Sequence, residues 1–199
     1  ILTMVVGNFF ALRQNNMKRF LAFSSIAQVG YILIGISGIS ESGMASSIYF
    51  ILIYIFSNLG AFGVISLISS ETGRESIDDY KGLYKTNPML GWVLALSLFS
   101  LAGIPPTAGF FGKIFLLTAG AAKGNYLLIT IASLNMIVSL YYYLRVIRAV
   151  FMDSNENAIE PIKSQTSFKL AIILCVAGIL VTGFANGLYE YILSLSHGM

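Results

Sequence analysis

Lys113 is the residue whose type and position point most directly to chemistry, because it lies alone in a long apolar stretch. No other charged side chain occurs between Met89 and Ala122. An ammonium at membrane depth costs about 2.5–3.5 kcal/mol on insertion scales, and such residues commonly mark ion or proton pathways. The same stretch contains Gly103-Ile104-Pro105-Pro106, a helix breaker about two turns before the lysine. A lysine beside a broken helix therefore predicts a proton or ion pathway.

Two hypotheses account for Lys113. In the first it is a proton relay, because removal from water favours the neutral amine. The break would then supply water, free carbonyl groups and room for the side chain to pair. In the second it is structural, either snorkelling to the membrane surface or neutralising a carboxylate on a neighbouring helix. Snorkelling to the membrane surface is difficult, because Lys123, which marks the nearer boundary, is about ten residues away.

Other polar side chains inside apolar segments could line a hydrated path. Ser24 and Gln28 fall at helical spacing in one segment, and Asn58 lies midway through the next. Asn135 and Ser139 share a helix face in a later segment. The same side chains could instead form hydrogen bonds between helices, worth about 0.6 kcal/mol each. The pattern alone favours this second interpretation.

The elements that must position these side chains are membrane-spanning helices. The chain has 199 residues, of which 56% are hydrophobic and 11% are charged. Soluble domains carry about 25% charged residues. Long apolar runs between charged loops predict helices and not a β-barrel, whose strands are about ten residues of alternating polarity. We therefore expect an all-α integral membrane protein.

The apolar runs predict five complete transmembrane segments and the end of another. The partial segment is about 1–13, and the complete ones are about 18–40, 44–69, 89–122, 126–152 and 167–195, with a tight turn at 41–43. As one straight helix, 89–122 would be about 50 Å long, well beyond a hydrocarbon core of about 30 Å. Because Gly103, Pro105 and Pro106 interrupt it, we predict half-helices at 89–103 and 107–122.

Basic residues are concentrated in alternate loops. One side of the predicted topology receives Arg13, Lys18, Arg19, Arg74, Lys81, Lys85, Arg145, Arg148, Lys163 and Lys169, and the other receives only Lys123. Lysine and arginine are enriched in cytoplasmic loops, so we expect the first side to be cytoplasmic and the C-terminus to lie outside. The net charge of +3 thus reflects membrane orientation and does not indicate nucleic-acid binding. The run Tyr141-Tyr142-Tyr143 beside Arg145 and Arg148 predicts an interfacial aromatic belt.

Motifs for several other chemistries are missing from the sequence. It contains no phosphate-binding glycine loop, nucleophile triad or dinucleotide fingerprint. Its single cysteine, Cys175, lies in an apolar run and cannot build a metal cluster, and His197 is interpreted as a surface residue. We therefore expect no metal and no cofactor on this chain. Because the chain opens with Ile1-Leu2-Thr3 inside an apolar run, we also expect it to be part of a longer protein.

Four segments resemble the antiporter-like membrane subunits of respiratory complex I. They are NMKRFLAFSSI at 16–26 followed by Gly30-Tyr31, SLAGIPPTAGFFGK at 100–113, DYKGL at 79–83 and SLYYYLR at 139–145. The last two are most similar to subunit N, also called NADH dehydrogenase subunit 2. The resemblance covers essentially the whole chain, and the segments together are specific to this group.

The resemblance implies that residues 1–199 are the C-terminal part of a single proton-translocating membrane domain. They match the family from the end of its ninth transmembrane helix to its fourteenth, with the broken segment as the twelfth. Lys113 matches the lysine that ends the family's chain of protonatable groups. The family's glutamate on helix five and lysines on helices seven and eight would lie before Ile1. We therefore take Lys113 as the relay residue, and as further pathway or helix-break candidates Gly103, Pro105, Pro106, Ser24, Gln28 and Asn58.

The resemblance also implies partners and a location. Adjacent antiporter-like subunits, small membrane subunits and the lipid bilayer are the expected partners. NADH or ferredoxin, FMN, iron–sulfur clusters and quinone are expected on other subunits of an NADH:quinone oxidoreductase. A bacterial inner (cell) membrane is expected in preference to an organellar one.

Two other functions stay open at this point. A multisubunit cation/proton antiporter shares the fold and the lysine, but an ion gradient drives it in place of electron transfer. A structural membrane scaffold would instead keep Lys113 in a static ion pair. Loss of proton uptake on substitution of Lys113 would argue against the scaffold.

Overall fold

The computed structural model describes residues 1–184 and 186–196 as a bundle of helices. The helices are α1 (Leu2–Arg13), α2 (Met17–Ser37), α3 (Glu41–Thr72), α4 (Leu83–Thr86), α5 (Pro88–Ala102), α6 (Ala108–Ala121), α7 (Tyr126–Phe151), α8 (Thr166–Phe184) and α9 (Asn186–Ser196), with a 3-10 helix at Ile77–Tyr80. By length and composition, α2, α3, α7 and α8 can each cross a membrane. The shorter apolar helices α5 and α6 follow each other in the chain. The expected all-α membrane bundle is confirmed.

Helix α3 is longer than predicted because its first turn is capped. The Ser40 side chain accepts a hydrogen bond from the Gly43 amide at 3.1 Å, which satisfies one of the free donors at the helix start. The tight turn predicted at 41–43 is therefore wrong, and the chain reverses just before Ser40. At its other end, α3 stops at Gly73, whose φ of 69° suits a glycine C-cap.

Helices α8 and α9 pack antiparallel along α3. The Tyr49 hydroxyl donates to the Thr182 carbonyl at 2.8 Å, and the Ser46 and Tyr189 hydroxyls are 3.1 Å apart. Further along, Gly60 of α3 lies beside Cys175 of α8. The predicted segment 167–195 therefore corresponds to α8 and α9 together, and residue 185 between them lies outside the described part of the chain.

The loops that carry most of the basic residues meet at one end of the bundle. Hydrogen bonds join them there: Met17 N to Glu75 O at 2.7 Å, Gly82 N to Ala149 O at 3.0 Å, and Asn87 Nδ2 to Glu160 O at 3.0 Å. We call this the basic end. Lys123 lies at the opposite end, beside Gly38. The grouping of charges predicted from the loops is thus reproduced in three dimensions.

The largest apolar cluster fills the half of the bundle nearest the basic end. It is formed mainly by α1, α2, α3, α5, α7 and α8 and includes Phe20. The Phe20 ring packs edge-on against Tyr142 and Tyr143, with ring centroids 5.4 and 5.8 Å apart. Edge-to-face aromatic pairs contribute about 0.5–1.5 kcal/mol beyond their buried area. This cluster supports one side of the break between α5 and α6.

Candidate functional site

The predicted helix break is present between α5 and α6. Helix α5 ends at Ala102 because Gly103 adopts a φ of 80°, a left-handed conformation that favours glycine. Pro105 and Pro106 follow in the connection and have no amide hydrogen to extend the helix. Helix α6 then starts at Ala108. The predicted half-helices at 89–103 and 107–122 are confirmed to within a residue or so at each end.

The two half-helices approach each other closely at Gly109. A Cβ atom at this position would collide with the backbone carbonyl oxygen of Ser100. On its other side, α6 packs on α3, where a Cβ atom at Gly112 would lie 2.8 Å from the Phe50 ring. Only glycine therefore lets the first turns of α6 lie against both α5 and α3.

The end of α5 supplies the partners of Lys113. The last carbonyl groups of a helix have no partner inside it and seek one outside. The Lys113 ammonium donates to the carbonyls of Leu101 at 2.7 Å and Ala102 at 3.2 Å. It also lies over the Tyr31 ring, 5.0 Å from the centroid. Lys113 is 0% exposed, so backbone dipoles and an aromatic face replace its water shell.

No carboxylate among residues 1–184 and 186–196 forms an ion pair with Lys113. A carboxylate at this depth would tie up the lysine, because removing one member of a buried pair leaves the other charge uncompensated. The carbonyls carry no net charge. The arrangement can therefore accommodate either the ammonium or the neutral amine.

Gln28 shares a ligand with Lys113. Its Nε2 atom donates to the Leu101 carbonyl at 3.0 Å and to the Tyr143 hydroxyl at 3.1 Å. Gln28 is fully buried, and its Oε1 atom has no hydrogen-bond partner. A buried acceptor without a partner costs about 1–3 kcal/mol. The Leu101 carbonyl therefore links Lys113 to Gln28, whose Oε1 acceptor is unpaired.

The predicted pathway residues are only partly brought together. Gln28 and Gly103 adjoin Lys113, and a Cβ atom at Gly103 would lie 3.0 Å from Cδ of the lysine. Ser24, one turn from Gln28 on α2, donates to the Leu21 carbonyl of its own helix at 3.0 Å. Asn58 has a buried Oδ1 without a partner, and no described contact links it to Lys113. The pathway roles of all the candidate residues, Lys113 included, stay predictions.

A second polar cluster lies between α1 and α7, where Asn135 forms a hydrogen bond between helices, the interpretation that the sequence pattern favoured. Asn8 Nδ2 donates to Asn135 Oδ1 at 2.9 Å, and the Tyr142 hydroxyl donates to Asn8 Oδ1 at 2.7 Å. Tyr31, whose ring contacts Lys113, donates from its hydroxyl to the nearby Ala132 carbonyl at 3.2 Å. Asn8, the partner of Asn135, was missed from the sequence, although a polar residue in the middle of an apolar helix could have indicated this bond.

The predicted aromatic belt holds for only one of its three tyrosines. Tyr141 is 64% exposed, whereas Tyr142 and Tyr143 are fully buried. Successive residues of a helix point in directions about 100° apart, so three in a row cannot all face lipid. The belt prediction is wrong for Tyr142 and Tyr143, which belong to the bundle interior. His197, interpreted as a surface residue, lies outside the described part of the chain.

A different cation site lies at the basic end. Lys18 donates to Glu75 at 2.7 Å, and the Glu75 carboxylate also accepts from Ser69 and Asn16, each at 2.8 Å. The hydrogen bond from Lys18, followed by those from Asn16 and Ser69, lowers the pKa of Glu75 to about 2. This cluster ties the α1–α2 loop to the end of α3 and the loop that follows it.

The chain is similar to membrane subunits of known complexes. The model of the family described as NADH:quinone oxidoreductase/Mrp antiporter, transmembrane, matches residues 1–139. The chain is 49% identical over 191 residues to NADH-quinone oxidoreductase subunit N of Phocaeicola vulgatus, covering 96% of the chain and 40% of that protein. A chain of respiratory complex I from Thermus thermophilus matches with a TM-score of 0.81 and 33% identity, covering 94% of this chain and 43% of that one.

An antiporter complex also shares the fold. A chain of the Mrp complex from Dietzia sp. DQ12-45-1b matches with a TM-score of 0.83 and 21% identity. That match covers 98% of this chain and 44% of the Mrp chain. The chain thus spans less than half the length of each of these three proteins.

Proposed function

The chain belongs to the membrane family of NADH:quinone oxidoreductases and Mrp antiporters, and we propose that it is the C-terminal part of a proton-translocating subunit N. In this role it couples quinone reduction elsewhere in the complex to proton export. The 49% identity to a subunit N over nearly the whole chain supports this assignment. Its partners are adjacent antiporter-like and small membrane subunits. NADH or ferredoxin, FMN, iron–sulfur clusters and quinone belong to other subunits.

The observation that carries the proposal is the coordination of Lys113 by neutral groups. A relay residue must be tolerated both with and without its proton. When Lys113 loses its proton, its hydrogen-bond partners are the neutral carbonyls of Leu101 and Ala102. No carboxylate among the described residues then loses its counter-charge. A lysine paired with a buried carboxylate would instead leave an uncompensated charge, a cost of about 3–5 kcal/mol.

The proposed cycle moves one proton through Lys113 in each turn. The ammonium releases a proton towards the outer side through the helix break at Gly103–Gly109. The neutral amine then takes a proton from the lysine that the family carries on helix eight, before Ile1. We place the basic end in the cytoplasm of a bacterial cell and the C-terminus outside, because basic residues favour the cytoplasmic side.

Replacing Lys113 with methionine in the complete complex tests this function. The assembled complex is reconstituted into liposomes, and protons translocated are measured against NADH oxidised. We expect Lys113→Met to reduce proton-coupled turnover by about 10-fold or more, as for loss of a proton-transfer group, with assembly intact. Lys123→Met, at an exposed position at the far end, is the matched control and retains full coupling. Full coupling in Lys113→Met would overturn the proposal.

The antiporter alternative predicts a different driving force. The shared fold with the Mrp chain is what favours it. In that case, liposomes containing the complex exchange cations for protons under an imposed ion gradient, without NADH or quinone. Proton movement that requires NADH oxidation supports the subunit N assignment, and gradient-driven exchange alone supports the antiporter.

A further inference from the structure

A groove runs along the outer surface of the bundle between α5 and α7. Its volume is about 470 Å³, and its walls include Phe99, Tyr141, Leu144, Arg145, Arg148 and Met152. We call it the α5–α7 groove. Tyr141 and Met152 are 64% and 80% exposed, so the groove opens outwards, away from the lysine site. Lys113 is not part of its lining.

The groove changes character along its length. Phe99, Tyr141 and Leu144 make its deeper part apolar, whereas Arg148 and Met152 lie where α7 finishes at the basic end. From Tyr141 to Met152 the helix rises by about 16 Å, close to half the thickness of a hydrocarbon core of about 30 Å. The groove therefore spans one leaflet, with apolar walls at chain depth and cations at headgroup level.

The two arginines have different partners. Arg145 donates through its terminal nitrogens to the Leu12 and Gln14 carbonyls and so binds the end of α1. The Arg148 side chain is 72% exposed, and only its Nε atom approaches a carboxylate, Asp153, at 3.4 Å. Within the described residues, the terminal nitrogens of Arg148 make no hydrogen bond. They can form the paired contacts that guanidinium groups make with phosphate.

We propose that the α5–α7 groove binds one anionic diacyl phospholipid from the leaflet at the basic end. Its phosphate contacts Arg148, and one acyl chain lies along Phe99, Tyr141 and Leu144. Basic pockets beside transmembrane helices commonly bind anionic headgroups. The charge of Arg145, about 4.5 Å deeper along α7 by helical rise, adds to that of Arg148.

A helix from a neighbouring subunit fits the groove less well. The centres of protein–protein interfaces are depleted of charge, whereas Arg148 is largely exposed at the groove's rim. An α-helix with its side chains is about 10 Å across. An extended acyl chain is the narrower occupant.

Photo-crosslinking of lipid to the assembled complex tests this site. The complex is placed in nanodiscs that contain a phosphatidylglycerol carrying a diazirine in one acyl chain. After illumination, labelled peptides are identified by mass spectrometry. We expect labelling of Phe99 and of residues 141–152. Arg148→Gln should reduce it about fivefold, the effect of one cation near a membrane surface, and Leu144→Trp should block it by filling the groove.

The controls separate a specific site from general lipid contact. Arg19→Gln changes an exposed arginine at the same end, outside the groove, and should leave labelling unchanged. Lys113→Met should also leave it unchanged, because the site does not depend on the relay. A phosphatidylcholine probe should label the groove at least several-fold less. Equal labelling of the groove by both probes, or no labelling of the groove by either probe, would overturn the proposal.

Discussion

Lys18 and Lys113 hold their ammonium groups in opposite ways. Lys18, 43% exposed, lies 2.7 Å from the Glu75 carboxylate and also donates to the Ser69 hydroxyl at 2.8 Å. Lys113, fully buried, meets only carbonyl groups and an aromatic ring in the described structure. The bundle places the Lys18–Glu75 ion pair where water is near, and it leaves the buried Lys113 without a counter-charge among the described residues.

The difference separates a structural cation from one suited to proton transfer. Hydrogen bonds from Lys18, Asn16 and Ser69 lower the pKa of Glu75 to about 2, so the pair acts as a fixed link between loops. At Lys113 the polar partners are dipoles, and neither protonation state leaves an unpaired charge on a neighbouring side chain. We therefore expect substitutions at the basic end to change stability, and those at the break to change proton transfer.

The largest effect should come from disrupting the close contact between the half-helices. Gly109→Ala places a Cβ atom against the Ser100 carbonyl, and neither backbone can move without displacing Lys113 or α3. We expect a loss of about 3 kcal/mol or more, seen as loss of the subunit from the purified complex. Gly63→Ala, whose added Cβ meets only ordinary contact at 4.0 Å, should assemble normally. Normal assembly of both variants would contradict the close approach.

An intermediate effect is expected at Gln28. Gln28→Leu removes a donor from the Leu101 carbonyl and from the Tyr143 hydroxyl, so the ligand of Lys113 loses its second partner. Turnover coupled to proton translocation should fall several-fold, and the loss of stability should be about 1–2 kcal/mol. Asn58→Leu is the comparison, since Asn58 has no described contact with the lysine, and its loss should be smaller. Equal losses of coupled turnover in the two variants would contradict this difference and would place Gln28 and Asn58 on the same proton pathway.

A smaller effect, on stability alone, is expected at the ion pair. Glu75→Gln weakens the bonds from Lys18, Ser69 and Asn16. The melting temperature of the subunit in the complex should fall by about 2–4 °C, measured by thermal-shift assay. The ratio of protons to electrons should stay at the wild-type value. A change in that ratio would remove the distinction between the two lysines.

The pH dependence of the ion pair gives the subtlest test. The pKa of Glu75 is lowered to about 2 in the folded protein, against about 4.3 for an unperturbed glutamate. Its stabilisation is therefore fully present above the unfolded value and is lost as pH falls towards 2. The melting-temperature difference between wild type and Glu75→Gln should shrink between pH 5 and pH 3. A melting-temperature difference that stays constant over this pH range would show that these hydrogen bonds do not lower the pKa of Glu75.

The sequence predicts the features that depend on local chemistry. Gly103 and the two prolines predict the break, and Lys113 stands out because its charge is costly at membrane depth. The contact of Gly109 with Ser100 joins two separate helices, and the bond between Asn8 and Asn135 joins residues 127 positions apart in the chain. No local pattern encodes such tertiary contacts, so they could not be predicted.

The same limit explains the errors at the ends of elements. The first turn of α3 looked like a loop because Glu41, Ser42 and Gly43 are polar or flexible. Ser40 reverses that preference by capping the helix. For Tyr142 and Tyr143, burial depended on which side of α7 faced the bundle, and that rotation is set by packing against α5, α1 and α6.

The central claim is that Lys113 must lose its proton during turnover, and arginine substitution tests it most directly. Arginine stays charged and can still donate hydrogen bonds to the carbonyls. We predict that Lys113→Arg in the reconstituted complex loses proton translocation per NADH oxidised as fully as Lys113→Met does. Lys18→Arg, which preserves the ion pair, should keep the wild-type ratio. A wild-type ratio in assembled Lys113→Arg would contradict the account, because a fixed charge would then suffice.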